Sequence, residues 1–197
     1  KATRFAIISI QLAFIGLAGF VLLRHSPTAH AASIITVNTQ SDAVANDGEC
    51  TFREALNAAN NDTASGAAAG ECAAGSGADT INFNISGAAD FTNGGQNGYT
   101  IEPQSSLPGI TDQVTINGYS QPGALANTAT APNPLNGRLL IELDGSSAGT
   151  NVNVIRLEDG SEGSQVRGLV VGDFSDSPAF AMQAGNITIQ GNYIGTN

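Results

Sequence analysis

The sequence predicts an all-β fold, a parallel β-helix closed at its N-terminal end by one short helix. Three observations carry that expectation. The pattern apolar-x-apolar-x-Gly returns four times between residues 114 and 191, with one polar exception, Ser164, at its first position. The strands it implies are short, about three to five residues each, and the text between them is Gly, Asn, Ser and Thr, the residues of turns. Only one stretch, GECTFREALNAANND (48–62), has the spacing of an amphipathic helix.

The N-terminus reads as a leader. Lys1 and Arg4 precede an apolar run from Phe5 to Leu23, interrupted only by Ser9 and Gln11, and Ala29-His30-Ala31 supplies an A-x-A cleavage site. This is the pattern of a secretory signal peptide over residues 1–31. The alternative is an uncleaved anchor, since such a run is long enough to span a bilayer. The chain opens on Lys1 rather than Met, and its closing GNYIGTN stops inside a repeated pattern, so it reads as a fragment of a longer protein.

Without residues 1–31, four arginines face all 17 acids, a net charge of −13, and no His, Lys or Trp remains. Such a surface repels nucleic-acid phosphates and anionic lipid. No nucleic-acid partner is expected, and membrane contact only through the leader if it stays attached. A Ser-His-Asp triad, a Lys Schiff base and a His metal site are excluded within this stretch. Cys50 and Cys72, two cysteines behind a signal peptide, read most simply as one disulfide. It would close a loop of about 22 residues and stabilise by roughly 3 kcal/mol. A reactive or metal-binding pair is the rival, but it has no CxxC spacing and no neighbouring His.

The helix is expected over residues 51–60. Thr51 and Glu54 form a capping box, each side chain taking the other's backbone N–H. Phe52, Ala55, Leu56 and Ala59 make one apolar stripe. So short a helix does not stand alone in water, and its stripe must lie on something apolar. Residues 33–39 and 79–86 alternate like strands on either side, and 63–78 reads as a small-residue loop pinned by Cys72. Residues 32–86 then form an N-terminal cap, and 87–197 the coils.

The four repeats are Val114–Gly118, Ile141–Gly145, Ser164–Gly168 and Ile187–Gly191, at steps of 27, 23 and 23 residues. VRGLVVGD (166–173) also aligns with IQGNYIGT (189–196). These steps suit one circuit of a β-helix and are too long for hexapeptide or nonapeptide repeats. A β-sandwich is the alternative fold. Stacked in this register, Ile116, Leu143, Val166 and Ile189 form one interior column. Gly118, Gly145, Gly168 and Gly191 share one corner, and Asp144 meets Arg167 outside. The open end of such a stack exposes apolar side chains and unpaired strand edges, so a cap is required. That is the expected task of the single helix.

DGECTFREALNAAN followed by GADTINFNI resembles the CSLREA-type N-terminal segment of exported bacterial proteins built on right-handed parallel β-helices. Here Cys50-Thr51-Phe52-Arg53-Glu54-Ala55 stands for Cys-Ser-Leu-Arg-Glu-Ala, departing at Thr51 and Phe52. VTINGYSQPG (114–123) and the terminal IQGNYIGTN are similar to text in the same proteins, so the resemblance spans about residues 33–197. It implies a right-handed β-helix and export to the cell surface or medium, and it implies little chemistry. Arg53 and Glu54 read as structural.

Candidate site residues are few. Glu142 and Asp144 share a strand face, about 7 Å apart at their roots, and Arg167 would lie one coil away. Two carboxylates at such a separation suit inverting glycoside hydrolysis, and an Arg beside acids suits a pectate-lyase-like enzyme. The plainer reading is a solvated acid pair with one surface ion pair. Glu158, Asp159 and Glu162 in LEDGSEGS, and Asp42, Asp47 and Glu49 in SDAVANDGE, are oxygen-rich turns of the kind that bind Ca²⁺, although neither has an EF-hand spacing. No other cofactor is implied. Tyr99, Tyr119 and Tyr193 could stack on sugars or serve as packing. The leading functional expectation is an exported, non-catalytic surface protein, adhesin-like or envelope-structural, with a polysaccharide or another cell surface as its partner. The alternatives are a polysaccharide-active enzyme using Glu142, Asp144 and Arg167, or a structural segment whose activity lies beyond Asn197.

Overall fold

The computed structural model describes residues 31–175 and 178–195. The expected leader falls outside them except for Ala31. No helix among the described residues is long and apolar enough to cross a membrane.

The described residues fold mostly as short strands in parallel sheets, with one α-helix among them. Strand β1 (Ile34–Val37) opens a first sheet. After helix α1 (Phe52–Asn61), β2 (Asp79–Phe83) joins β1 in parallel. Strands β3 (Phe91–Asn93) and β4 (Gln96–Ile101) make an antiparallel hairpin in a second sheet. Ile110 then forms a single parallel bridge to Leu157, in a third. The order repeats. Strand β5 (Val114–Asn117) lies in the first sheet, β6 (Ile141–Asp144) in the second and β7 (Ile155–Leu157) in the third. Strands β8 (Gln165–Arg167), β9 (Leu169–Gly172) and β10 (Phe180–Met182) follow in the same rotation. Strands β11 (Thr188–Gln190) and β12 (Tyr193–Ile194) begin it again.

Sequence alternation fixes which residues face in. In the first sheet the partners Ile35, Ile81, Ile116, Val166 and Ile189 lie in one line, and the first four are fully buried. In the second, Tyr99, Ile141 and Leu169 form one inner line, and Ile101, Leu143 and Val171 another. Burying each such side chain contributes about 1.5–3 kcal/mol. A slip of one residue would turn every one of them out.

Of the three predicted neighbour pairings only that between Ser164–Gly168 and Ile187–Gly191 is found, and the two made through Ile141–Gly145 fail. Residues 115–117 pair with 165–167, and 165–167 with 188–190. The alignment of 166–173 with 189–196 is also realised over the described residues, with Tyr193 beside Val170 and Ile194 beside Val171. Ile141–Asp144 instead pairs with β4 and β9 in the second sheet. Leu143 still points inward, but in another column. The reason is geometric. Apolar-x-apolar-x-Gly marks the end of a strand at a corner, and a circuit has more than one corner. The step from 114 to 141 therefore runs from one sheet to the next, while the full circuit from Thr115 to Gln165 takes 50 residues. The added length includes an excursion over residues 121–138, closed by an antiparallel bridge between Leu125 and Arg138.

The glycines divide in the same way. Gly118, Gly168 and Gly191 end first-sheet strands, whereas Gly145 ends β6, where a Cβ would strike the Phe174 ring at 2.2 Å. Gly168 (φ +76°) and Gly191 (φ +64°) take the left-handed backbone that glycine favours.

Helix α1 begins at Thr51, whose hydroxyl accepts from the Glu54 N–H at 3.1 Å while the Glu54 carboxylate accepts from the Thr51 N–H at 3.0 Å. Asp62, in the left-handed region, ends it. The helix packs on β1 and β2. Phe52, Ala55, Leu56 and Ala59 are all buried, and the Phe52 and Phe83 rings stand 5.7 Å apart. Cys50 and Cys72 are disulfide-bonded, Cα atoms 4.7 Å apart, and both are buried. Glu71 holds the loop further, accepting from the Ser65 hydroxyl at 2.6 Å and the Gly48 N–H at 2.9 Å. Those two bonds keep its carboxyl below the usual carboxylate range.

Candidate functional site

From β2 onward the outward side chains of the first sheet are polar and stack in two ladders, while β1 presents the exposed Ile34 beside Thr80. One runs Thr80, Thr115, Gln165, Thr188, and the other Asn82, Asn117, Arg167, Gln190. The second is hydrogen bonded in series. Arg167 Nε donates to Asn117 Oδ1 at 3.1 Å, and Asn117 Nδ2 donates to Asn82 Oδ1 at 3.2 Å.

Beside this ladder lies a groove of about 390 Å³, lined by Tyr119, Ala126, Asn127, Arg167, Gln190 and Gly191. Tyr119 reaches it because β5 ends in a 3-10 turn at Gly118–Ser120. Its hydroxyl donates to the Gly191 carbonyl at 2.7 Å. The ring lies across the corner of the following circuit: a Cβ on Gly168 would stand 2.9 Å from the ring, and one on Gly191 2.5 Å from the hydroxyl. Burial pushes the Tyr119 phenol above its usual range. Nearby Tyr193 adds to that, and Arg167 opposes it. The opposite wall is the 121–138 excursion. There Asn127 Oδ1 accepts from the Asn136 N–H at 3.0 Å, and Asn136 Oδ1 accepts from the Thr128 N–H at 2.8 Å.

The enzyme candidates are not brought together. Glu142 and Asp144 lie on the second sheet and Arg167 on the first. Glu142 accepts from the Thr100 hydroxyl at 2.8 Å. Asp144 accepts from the Ser146 N–H at 2.8 Å, closing the turn after β6. The partner of Asp144 in the next circuit is Gly172, so the expected contact with Arg167 is absent. The cause is the register correction above: the ladder position assigned to Asp144 belongs to Asn117.

The acidic turns are also used within the fold. Glu158 pairs with Arg156 at 3.2 Å, while Asp159 and Glu162 are exposed. Asp42 holds Arg53 through two bonds, at 2.8 and 3.0 Å, and Arg53 also donates to the Ser105 and Ser106 carbonyls. Asp47 accepts from the Glu49 N–H at 3.0 Å. No group of three or more His, Cys, Asp or Glu among the described residues is arranged to hold a metal ion. A larger depression of about 630 Å³ includes Asp42, Asp90, Glu102 and Thr100. Two of its acids are committed: Asp42 to Arg53 and the Gln104 N–H, and Asp90 to the Thr100 N–H and the Gln40 amide. Arg53 thus fastens α1 to two loops, which is the structural role its place in the helix suggests.

Of the tyrosines, Tyr99 is buried in the core, and Tyr119 and Tyr193 are half-buried. The groove itself is not legible from strand periodicity. Asn127 comes from an excursion with no repeat, Arg167 and Gln190 were marked by their ladder positions, and Tyr119 only as one of three tyrosines able to stack on sugars. No family model, curated protein or solved structure matches the chain.

Proposed function

We propose that the chain is an exported, non-catalytic, right-handed parallel β-helix protein of the cell surface or medium, adhesin-like or envelope-structural, akin to the CSLREA-type proteins it resembles. The single observation that carries the reading is the rotation of the chain through three sheets with in-register parallel pairing. Such a stack gives a stiff rod whose outer ladders are repeated binding surface. The disulfide and the helix that lies on β1 and β2 support the same reading, because disulfides persist in oxidising compartments outside the cytoplasm. Glu142, Asp144 and Arg167 are not assembled, so no observation favours the enzyme alternative.

The test is fractionation and protease shaving of cells producing the full chain, with thiol counting and incubation with plant and bacterial polysaccharides. The reading expects protein outside the cytoplasm, no free thiol, and no release of reducing ends or unsaturated uronides. Retention in the cytoplasm, or turnover lost in the Glu142→Gln variant, overturns it.

A further inference from the structure

The geometry points to the groove between Tyr119, Asn127, Arg167 and Gln190 as a binding site for an acidic oligosaccharide, its carboxylate held by Arg167. This rests on the non-catalytic reading above and names its ligand class.

Charge is the first argument. The chain has 17 acids and 7 basic residues, yet no carboxylate among the described residues lines this groove. Among the described residues, Arg53 is paired with Asp42, Arg156 with Glu158, and Arg138 Nε donates to the Gly123 carbonyl. Arg167, like Arg138, has no carboxylate partner among the described residues, and it is bonded to the neutral Asn117 side-chain amide through Nε alone. That bond fixes the guanidinium plane and leaves its terminal N–H fork for a ligand. A planar fork fits a carboxylate through two parallel bonds.

Lining chemistry is the second. A volume of about 390 Å³ lies within the range of small-ligand sites, about 300–1,000 Å³. Gln190 is exposed, and an amide can both donate to and accept from sugar hydroxyls. Tyr119 is a rigid platform, since Gly191 anchors its hydroxyl and the glycine corner leaves room for its ring. Apart from Tyr119, Ala126 is the groove's one apolar side chain, so there is no pocket for the side chains of a peptide. The ladder of neutral amides and hydroxyls beyond Arg167 continues the same chemistry along the sheet, as a polymer requires.

The experiment is calorimetric titration of the full chain with tetragalacturonate, its methyl ester, a neutral galactose tetramer and acetate. Tetragalacturonate is expected to bind, and the ester, the neutral tetramer and acetate to bind at least about tenfold more weakly, the equivalent of about 1.4 kcal/mol. Arg167→Gln should lower tetragalacturonate affinity about tenfold or more while Glu142→Gln leaves it unchanged. If Arg167→Gln fails to fold, nuclear magnetic resonance of the wild-type chain decides: the Arg167 Nε signal must shift on titration. Equal binding of acid and ester, binding of acetate as tight as the oligomer, an unmoved Arg167 signal, or no binding at all overturns the proposal. Any of these, with export intact and no turnover, leaves the non-catalytic reading standing, whereas turnover of tetragalacturonate sinks that reading instead.

Discussion

Gly168→Ala probes stacking at a single position. Gly168 follows β8 with φ +76°, and an added Cβ would stand 2.7 Å from the Tyr119 backbone nitrogen and 2.9 Å from its ring. A left-handed backbone costs an L-residue about 1–2 kcal/mol. Displacing packed neighbours adds about 1–3 kcal/mol. The substitution should therefore lose about 2–5 kcal/mol, a large part of the roughly 5–15 kcal/mol that holds a domain. Two partners separate the causes. Gly118 is not left-handed, but its Cβ would stand 2.1 Å from the Gly168 carbonyl oxygen, so Gly118→Ala reports the close approach alone. Gly185 has no neighbour within 4 Å and no left-handed φ, so Gly185→Ala should stay within about 0.5 kcal/mol of wild type. Urea unfolding followed by circular dichroism measures all three. Tyr119 belongs to the preceding circuit, so the steric part of the penalty at Gly168, like the loss at Gly118, exists only if residues 114–119 and 165–168 are stacked in this register. A Gly168→Ala variant within about 0.5 kcal/mol of wild type would refute the stacking.

Leu56→Ala should cost about 2–5 kcal/mol in the same assay, because Leu56 is 2% exposed in the core under α1; a silent change would detach the helix from the core. Replacing Cys50 and Cys72 together by serine should cost about 2–5 kcal/mol, and mass spectrometry of the native chain should find no free thiol. Asp79 gives a pH prediction. Its Oδ1 accepts from the Ser33 and Ser76 N–H groups, Oδ2 is buried without a partner among the described residues, and burial raises the carboxyl above its ordinary value. The folded chain thus holds this proton more tightly than the unfolded one. Stability falls as pH rises from the unfolded value of 3.8 through the raised folded one. Asp79→Asn keeps the Oδ1 acceptor and removes that loss, so it should be at least as stable as wild type at pH 7, with its advantage gone near pH 3. A variant less stable at pH 7 with an unchanged pH profile contradicts this.

How much was legible depended on how local the determining physics was. The capping box, the stripe of Phe52 and Leu56 and the cysteine pair are set within a few residues or by simple chemistry, and they were readable as such. The rung from Gln165 to Thr188 was readable because the circuit between them has no insertion, so 23 residues return the chain to the same sheet. The rung below it was not. The excursion over 121–138 lengthens the circuit, while Ile141–Gly145 carries the same apolar-x-apolar-x-Gly text in another sheet. Alternation says which residues face in, and it did so correctly for Leu143. It does not say which sheet a strand joins, because every sheet of the stack buries its inner face by the same period of two.

That ambiguity decides where function can sit. Misplacing one strand put two acids beside Arg167 and made a catalytic constellation from residues that lie on different faces. With the strand in its own sheet, the neighbours of Arg167 are Asn117 below and Gln190 above, both neutral. A cation between two carboxylates would be spent on an internal ion pair, worth about 0–1 kcal/mol at a surface and unavailable to a ligand. A cation between two amides keeps its charge for whatever enters the groove. The same correction that separates Arg167 from the two acids therefore leaves it as a recognition residue, and Tyr119, carried there by the turn after β5, supplies the surface on which a ring can rest.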